Sequence, residues 1–305
     1  MKTKILAGAL LLVAGVLQAV PFNESTFTDI VRSVDVLAQP AKTASPAKLN
    51  EILRAPDLVR TGASSRAELT APDQSITRIG ANTVFSFAPD RREINLEQGS
   101  ALFHSPSGRG GGTIRSGGAS AAVSGTTLIV ATTPVTHPND KNGFKVILLE
   151  GAGNVTLASG KSRKLKAGQM VYVLPNHSDF GPILTINLPK LVAGSALING
   201  FSHPLPSLSL IQTAIEQQKV QFANGQLTDT GTPADNYLGN PPPPRDGTHA
   251  GPSSGDPNIT QIGVIYPGLV NIAGGGNGFP GGPSLPPGFT LPPVQPFQPK
   301  IGKGP

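Results

Sequence analysis

Between Leu58 and Leu174 the chain repeats one device: a short β-prone run, then a break rich in Gly, Asn, Asp, Ser or Pro. The runs are Ser75–Ile79, Val84–Phe87, Glu93–Leu96, Ala101–Phe103, Ala119–Val123, Thr126–Thr132, Phe144–Leu149, Asn154–Leu157, Arg163–Leu165 and Gln169–Leu174. Glycines punctuate them at Gly80, Gly99, Gly108, Gly125, Gly151, Gly160 and Gly168, and "ASGKS" between Leu157 and Arg163 has the composition of a hairpin turn. Many short strands at spacings of about 8–12 residues predict an all-β sandwich, roll or short β-helix. Several runs alternate with period two, Ile76 and Arg78 against Thr77 and Ile79, and Ile94 and Leu96 against Asn95 and Glu97. That period predicts one face in a core and the other in water.

The stretch Leu58 to Phe87 shows the logic in detail. "LVRTGASSRAEL" and then "SITRIGANTVFSF" predict strand, turn and strand, with Leu69, Ile76, Ile79, Val84, Phe85 and Phe87 as core candidates. Each large apolar side chain buried contributes roughly 1.5–3 kcal/mol. Arg66 and Glu68 fall on one face of a strand, and as an exposed pair ordering the turn they would contribute about 0–1 kcal/mol.

The ends have a different texture. Lys2 and Lys4 precede an apolar run from Ile5 to Val16 that ends in "VLQA", which predicts a secretory signal peptide over residues 1–19. The run is shorter than the roughly 20 residues that span hydrocarbon, so an uncleaved anchor is the lesser alternative. No later segment reaches transmembrane length, so the cleaved chain is expected to be periplasmic or secreted. Cys is absent, so stability must come from core burial. A β domain is expected over residues 20–182, with its core at 55–175 and a loop over Ala38 to Lys48. An extension over 183–228 holds the one convincing helix, 209–223, with Ser209 as N-cap and Ile211, Ala214, Ile215, Gln218 and Phe222 on one stripe. That stripe is expected to dock on the chain's own β core. Residues 229–305 read as a disordered Gly/Pro tail, since from Gly231 onward 16 Gly and 17 Pro leave little apolar surface to bury.

Motifs that carry chemistry are weak. "SGRGGGT" (Ser107–Thr113) lacks the Lys and spacing of a phosphate loop and reads as a flexible loop followed by a strand, although Arg109 and Arg115 are candidates to meet an anion. "GAGNV" (Gly151–Val155) lacks the third glycine of a dinucleotide fingerprint and reads as a hairpin. The five histidines are no closer than 26 residues apart, so no local metal pair exists, and His104 reads as a surface or partly satisfied core residue. Between Leu58 and Leu174 no Ser lies in Gly-x-Ser-x-Gly and no carboxylates pair for acid–base work. No catalytic residue, cofactor or metal is therefore assigned, and an enzyme is not expected. "KSRKLKAG" supplies the best basic patch, Lys161, Arg163, Lys164 and Lys166, with Lys164 and Lys166 on one strand face. It reads either as a solvated edge strand, where lysines discourage aggregation, or as a contact for an anionic envelope polymer. Residues 27–175 hold 17 Lys/Arg against 11 Asp/Glu, a mild excess, and with no Trp in the chain stacking platforms for nucleic acid are poorly supplied.

The order of "FTDIVRSVDVL" (Phe27–Leu37), "APDLVRTGASSRAELTAPDQSITRIGANTVFSF" (Ala55–Phe87), "INLEQGSALFHSPSGRGG" (Ile94–Gly111), "TIRSGGASAAVSGTTLIV" (Thr113–Val130) and "VILLEGAGNVTLASGKSRKLKAGQMVYVLP" (Val146–Pro175) resembles the FecR domain family. The resemblance implies an all-β module with short β-solenoid or jelly-roll character, followed here by one helix and the disordered tail. It also implies an envelope sensor that works through protein contacts and has no catalytic residues. The family's best-known members relay a signal through a transmembrane helix to a cytoplasmic sigma-factor regulator; a signal peptide stands in that place here, so that relay is not expected of this chain. The last piece is also similar to the second motif of cupin barrels, without the His-x-His that a metal-dependent cupin needs. Two functions stay open: an exported module binding an envelope protein or anionic polymer, and a structural or surface-display protein whose Gly/Pro tail mediates assembly.

Overall fold

Strands dominate a computed structural model that describes residues 21–41, 43–132, 143–173, 179–233 and 260–264. The expected signal peptide lies outside the described residues, as does most of the expected tail. One sheet, A, has eleven described strands, numbered here along the chain: β1 (Glu24–Val31), β4 (Ile52–Arg54), β6 (Arg66–Thr70), β7 (Ile76–Ile79), β10 (Ser100–Ser105), β13 (Thr126–Thr132), β14 (Phe144–Glu150), β17 (Gln169–Val173), β18 (Phe180–Ile186), β19 (Leu227–Pro233) and β20 (Thr260–Val264). Sheet B has nine: β2 (Val34–Ala38), β3 (Thr43–Pro46), β5 (Leu58–Thr61), β8 (Val84–Phe87), β9 (Glu93–Gln98), β11 (Gly112–Ser116), β12 (Ala119–Val123), β15 (Ala152–Leu157) and β16 (Ser162–Lys166). Sheet A runs β19-β20-β18-β17-β14-β13-β10-β7-β6-β1-β4 and sheet B β16-β15-β12-β11-β9-β8-β5-β2-β3. Neither list closes on itself, so the all-β expectation is realised as two large open sheets. Most pairs are antiparallel; β9 pairs with β11 in parallel, as β20 does with β18 and β19.

The sheets face each other across one core. Phe27, Leu69, Ile79, Phe103, Leu128, Val130, Val146 and Leu148 of sheet A meet Val59, Phe85, Phe87, Ile94, Leu96, Ile114 and Val155 of sheet B. Phe22, just ahead of β1, closes it: its ring lies 6.0 Å from Phe87 and 5.7 Å from Phe103, and the Arg92 guanidinium stands 4.2 Å above it. Gly112 makes room for this cluster, since a Cβ there would lie 2.6 Å from Phe103 Cζ. Such a contact leaves no place for a side chain at the start of β11.

Sheet A does not turn its second face to water. Leu102, Ile129, Ile147, Leu149, Met170 and Tyr172 point away from sheet B and pack with Leu188, Leu191, Leu197, Ile198, Leu205, Ile211 and Ile215. These come from three helices, α1 (Leu188–Gly194), α2 (Ala196–Asn199) and α3 (Leu208–Ala223), and the segments between them. A strand buried on both faces reads as a continuous apolar run, which accounts for "TTLIV" in β13 and "FKVILL" in β14. The expectation of one wet face per strand is therefore corrected for the middle of sheet A.

Further differences have local causes. α1 and α2, at seven and four residues, are too short to show a helical period in sequence; Asn187 caps α1 by accepting from the Lys190 N–H. α3 begins at Leu208 with Ser207 at the N-cap position, not Ser209, and Ser207 makes no side-chain cap bond. Its buried stripe is Ile211, Ile215 and Gln218, docked on the chain's own sheet as expected. Gln218 belongs there because its amide donates to Ile186 O at 2.7 Å and accepts from Leu188 N at 2.9 Å, tying the β18–α1 corner. Val84 is half-buried on the outward side of β8, whereas Leu69, Ile76, Ile79, Phe85 and Phe87 are core. The span Ala38–Lys48, read as a loop, contains the fully exposed edge strand β3. Parts of the expected tail form β19 and β20.

Candidate functional site

Three polar arrangements interrupt the apolar layers. The first is centred on Arg78, whose side chain is 0% exposed. β6 and β7 form a hairpin whose register sets Glu68 opposite Arg78 on the helix side of sheet A. Arg78 Nε donates to Glu68 Oε2 at 2.7 Å, Nη1 to Ile198 O at 2.8 Å and Leu197 O at 3.3 Å, and Nη2 to His203 O at 2.6 Å. The Phe201 ring lies 4.4 Å from its Cζ. Glu68 also accepts from Thr28 Oγ1 at 2.8 Å. Burial draws the Arg78 pKa below the ordinary arginine value, while the hydrogen bond and charge of Glu68 oppose that shift. Next to it, Arg66 Nε donates to Gly200 O at 2.5 Å, and Asp29 accepts from the N–H and hydroxyl of Ser202, each at 2.8 Å. Burial alone would raise the Asp29 pKa, but these bonds hold it below the usual carboxylate value. Arg66 and Glu68 do share a face, yet they do not form the exposed pair the sequence suggests: each is spent on a different partner.

The second arrangement joins sheet A to the start of α3. Thr127 Oγ1 donates to Glu150 Oε1 at 2.8 Å and lies 2.9 Å from His104 Nδ1 and 2.7 Å from Ser207 Oγ. All four residues are buried. A hydroxyl has one proton, so Thr127 donates either to Glu150 or to Ser207 Oγ, and it accepts from His104 when Nδ1 carries the proton. Ser207 is thereby drawn away from capping α3. Burial lowers the His104 pKa; burial also raises that of Glu150, against the hydrogen bonds from Thr127. For His104 the folded value lies below the ordinary 6.5, so its neutral form is favoured and stability is lost as pH falls from about 6.5 toward the lowered value. His104→Asn, which keeps a donor near the Nδ1 position, is expected to flatten this loss. Melting temperatures of both proteins from pH 7.5 to 5 check it: parallel curves would show that His104 does not titrate differently on folding.

The third is the basic strand β16 at the edge of sheet B. Leu165 points into the core, and Lys164 and Lys166 stand on the outer face, as the period of two predicts. Among the described residues neither lysine has an ion-pair partner, whereas Lys161 Nζ meets Asp179 at 2.9 Å and Arg163 Cζ lies 5.4 Å from the Phe180 ring centre. A shallow groove of about 340 Å³ runs beside Lys164, lined by Ala122, Ser124, Ala152, Gly153 and Asn154 among others. The other sequence candidates do not join this group. Arg115 lies three strands away on β11, roughly 14 Å at the usual strand spacing, and is held by Glu93 at 2.8 Å. That pair lowers the Glu93 pKa and raises that of Arg115. Arg109 is exposed in the loop before β11. No group of three or more His, Asp or Glu positioned to hold a metal ion occurs among the described residues, and none of their helices is long and apolar enough to cross a membrane.

Sequence reasoning missed Arg78, and one signal was available. A hairpin centred on Asp73 sets positions 68 and 78 across from one another, so Glu and Arg there predict a cross-strand pair. What the sequence hides is the layer that buries them.

Two open β-sheets with one outer face helix-covered and the other polar define the class of this molecule. Residues 57–154, from just before β5 into β15, match the family model described as FecR protein, so the chain carries a FecR domain. This is narrower than the span Phe27–Pro175 over which the sequence resembles that family. No curated protein gives a match. Two solved structures, at 1.65 and 2.50 Å resolution, are similar over part of their length, both described as "Crystal structure of a putative anti-sigma factor from Parabacteroides distasonis ATCC 8503". Each aligns at 21% identity over 42% of this chain, with a TM-score of 0.33. The match spans 57% of that chain, little more than half its length.

Proposed function

We propose that this chain is an exported, non-enzymatic sensing module of the cell envelope, periplasmic or secreted. It binds an envelope protein or anionic polymer through the outer face of sheet B at β16. The observation that carries the reading is the pair Lys164 and Lys166, side by side on the edge strand of sheet B that follows the FecR match, without carboxylate partners among the described residues. Exposed basic side chains beside a shallow groove favour an anionic contact whose strength falls with salt. Cleavage after Ala19 keeps the buried Phe22 in the mature chain.

The test is capture from native envelope extract with the mature chain as bait, at low and high salt, beside the Lys164→Glu/Lys166→Glu variant. One specific species retained by the wild type and reduced about tenfold or more by the double substitution supports the reading. Equal capture by both baits overturns the assignment to β16. Capture lost only when the chain is ended after Val264 transfers the function to the tail, as a surface-display protein requires. N-terminal sequencing of the exported protein is expected to begin at Val20.

A further inference from the structure

A second cavity, of about 250 Å³, opens on a different surface and is independent of the reading of β16. It lies where the β5–β6 turn, the β7–β8 turn and α2 converge, lined by Ser64, Ser65, Arg66, Gly80, Ala81, Ala196 and Leu197. Arg66 supplies its one charge. The guanidinium is fixed along one edge, by the Nε bond to Gly200 O at 2.5 Å and by the Phe201 ring 5.9 Å from Cζ. Gly200 is required for this approach, since a Cβ there would lie 2.7 Å from Arg66 Nε. The Nη edge has no protein partner among the described residues. The nearby carboxylates are committed elsewhere, Glu68 to Arg78 and Thr28, and Asp29 to Ser202. Continuing the register that pairs Ala67 with Ile79 sets Gly80 beside Arg66, where any other residue would place a side chain.

The geometry points to a carboxylate-binding pocket: Arg66 receives an aspartate or glutamate side chain, or a chain terminus, presented by a protein partner. The planar Nη fork matches a carboxylate bidentately. Ser64 lies in an exposed turn on the same rim, placing a hydroxyl where it can add a donor. The remaining walls, Ala81, Ala196 and Leu197, suit a short hydrocarbon stem, which a carboxylate side chain has and an inorganic phosphate lacks. The volume admits one side chain, so the pocket reads a single acidic residue of a larger contact.

The experiment is titration of the mature chain with N-acetyl-glutamate amide and, separately, inorganic phosphate, followed by the ¹⁵N–¹H signal of Arg66 Nε. A saturable shift with the glutamate probe at lower concentration than with phosphate is expected, weakened at least about tenfold in Arg66→Gln. Ala196→Leu, which narrows the cavity and leaves Arg66 in place, is expected to weaken it too, and it keeps the test open should Arg66→Gln not fold. No saturable shift overturns the pocket. Phosphate binding more tightly than the glutamate probe overturns the ligand class, and undiminished binding in folded Ala196→Leu overturns the location.

Discussion

Replacing Arg78 with methionine is expected to destabilise the protein by about 3–5 kcal/mol, the effect of breaking a buried ion pair from one side. The variant leaves Glu68 charged beneath the helical layer and strips the donor from the carbonyls of Leu197, Ile198 and His203. Denaturant unfolding measures the loss as a drop in midpoint. Hydrogen exchange locates it, because the amides of α2 and residues 200–203 should lose protection before those of sheet B. Arg78→Met with Glu68→Gln should recover part of the loss, since an uncompensated charge no longer remains. A shift below about 1 kcal/mol would place the pair with ordinary surface ion pairs and remove Arg78 as the link between layers.

Truncating Phe22 to alanine is expected to cost a similar amount, about 3–5 kcal/mol, because a fully buried ring leaves a cavity that strands cannot collapse to fill. The ring touches Phe87 of sheet B and Phe103 of sheet A, so it ties the sheets together at the start of the folded chain. Arg92 loses its aromatic face but keeps Gly111 O and Asp73, which localises the damage to the core. Equilibrium unfolding of Phe22→Ala beside the wild type checks this. A change under about 1 kcal/mol would show that the strap before β1 is dispensable.

Most strands over residues 76–132 and 144–173 were legible because each is a short run, apolar or alternating with period two, bounded by turn residues. β15 illustrates it: "GNVTL" alternates cleanly because its outer face meets water. β1 was less legible, since "ESTFTDIV" carries Thr28 and Asp29 for bonds to Glu68 and Ser202 that no local pattern announces. β3 was unreadable, being a polar edge strand with every residue exposed. The candidate sites followed the same division. Lys164 and Lys166 could be placed on one face from spacing alone. Arg78 and the cavity at Arg66 depend on residues 196–203, more than 115 positions away in sequence for Arg78, and no period or motif connects them.

The helical cover of sheet A has a consequence for how the chain is made. The inner strands Leu102, Ile129, Ile147 and Tyr172 belong to are complete once Val173 has emerged, but α3 ends at Ala223. At roughly 5–20 residues per second, synthesis leaves a gap of several seconds in which a broad greasy surface is finished and its lid is not yet available. During that interval Arg78 also faces outward without the carbonyls that later hold it. A nascent chain in this state offers that surface to holdase chaperones, and a product ended at Val173 would stay in it permanently.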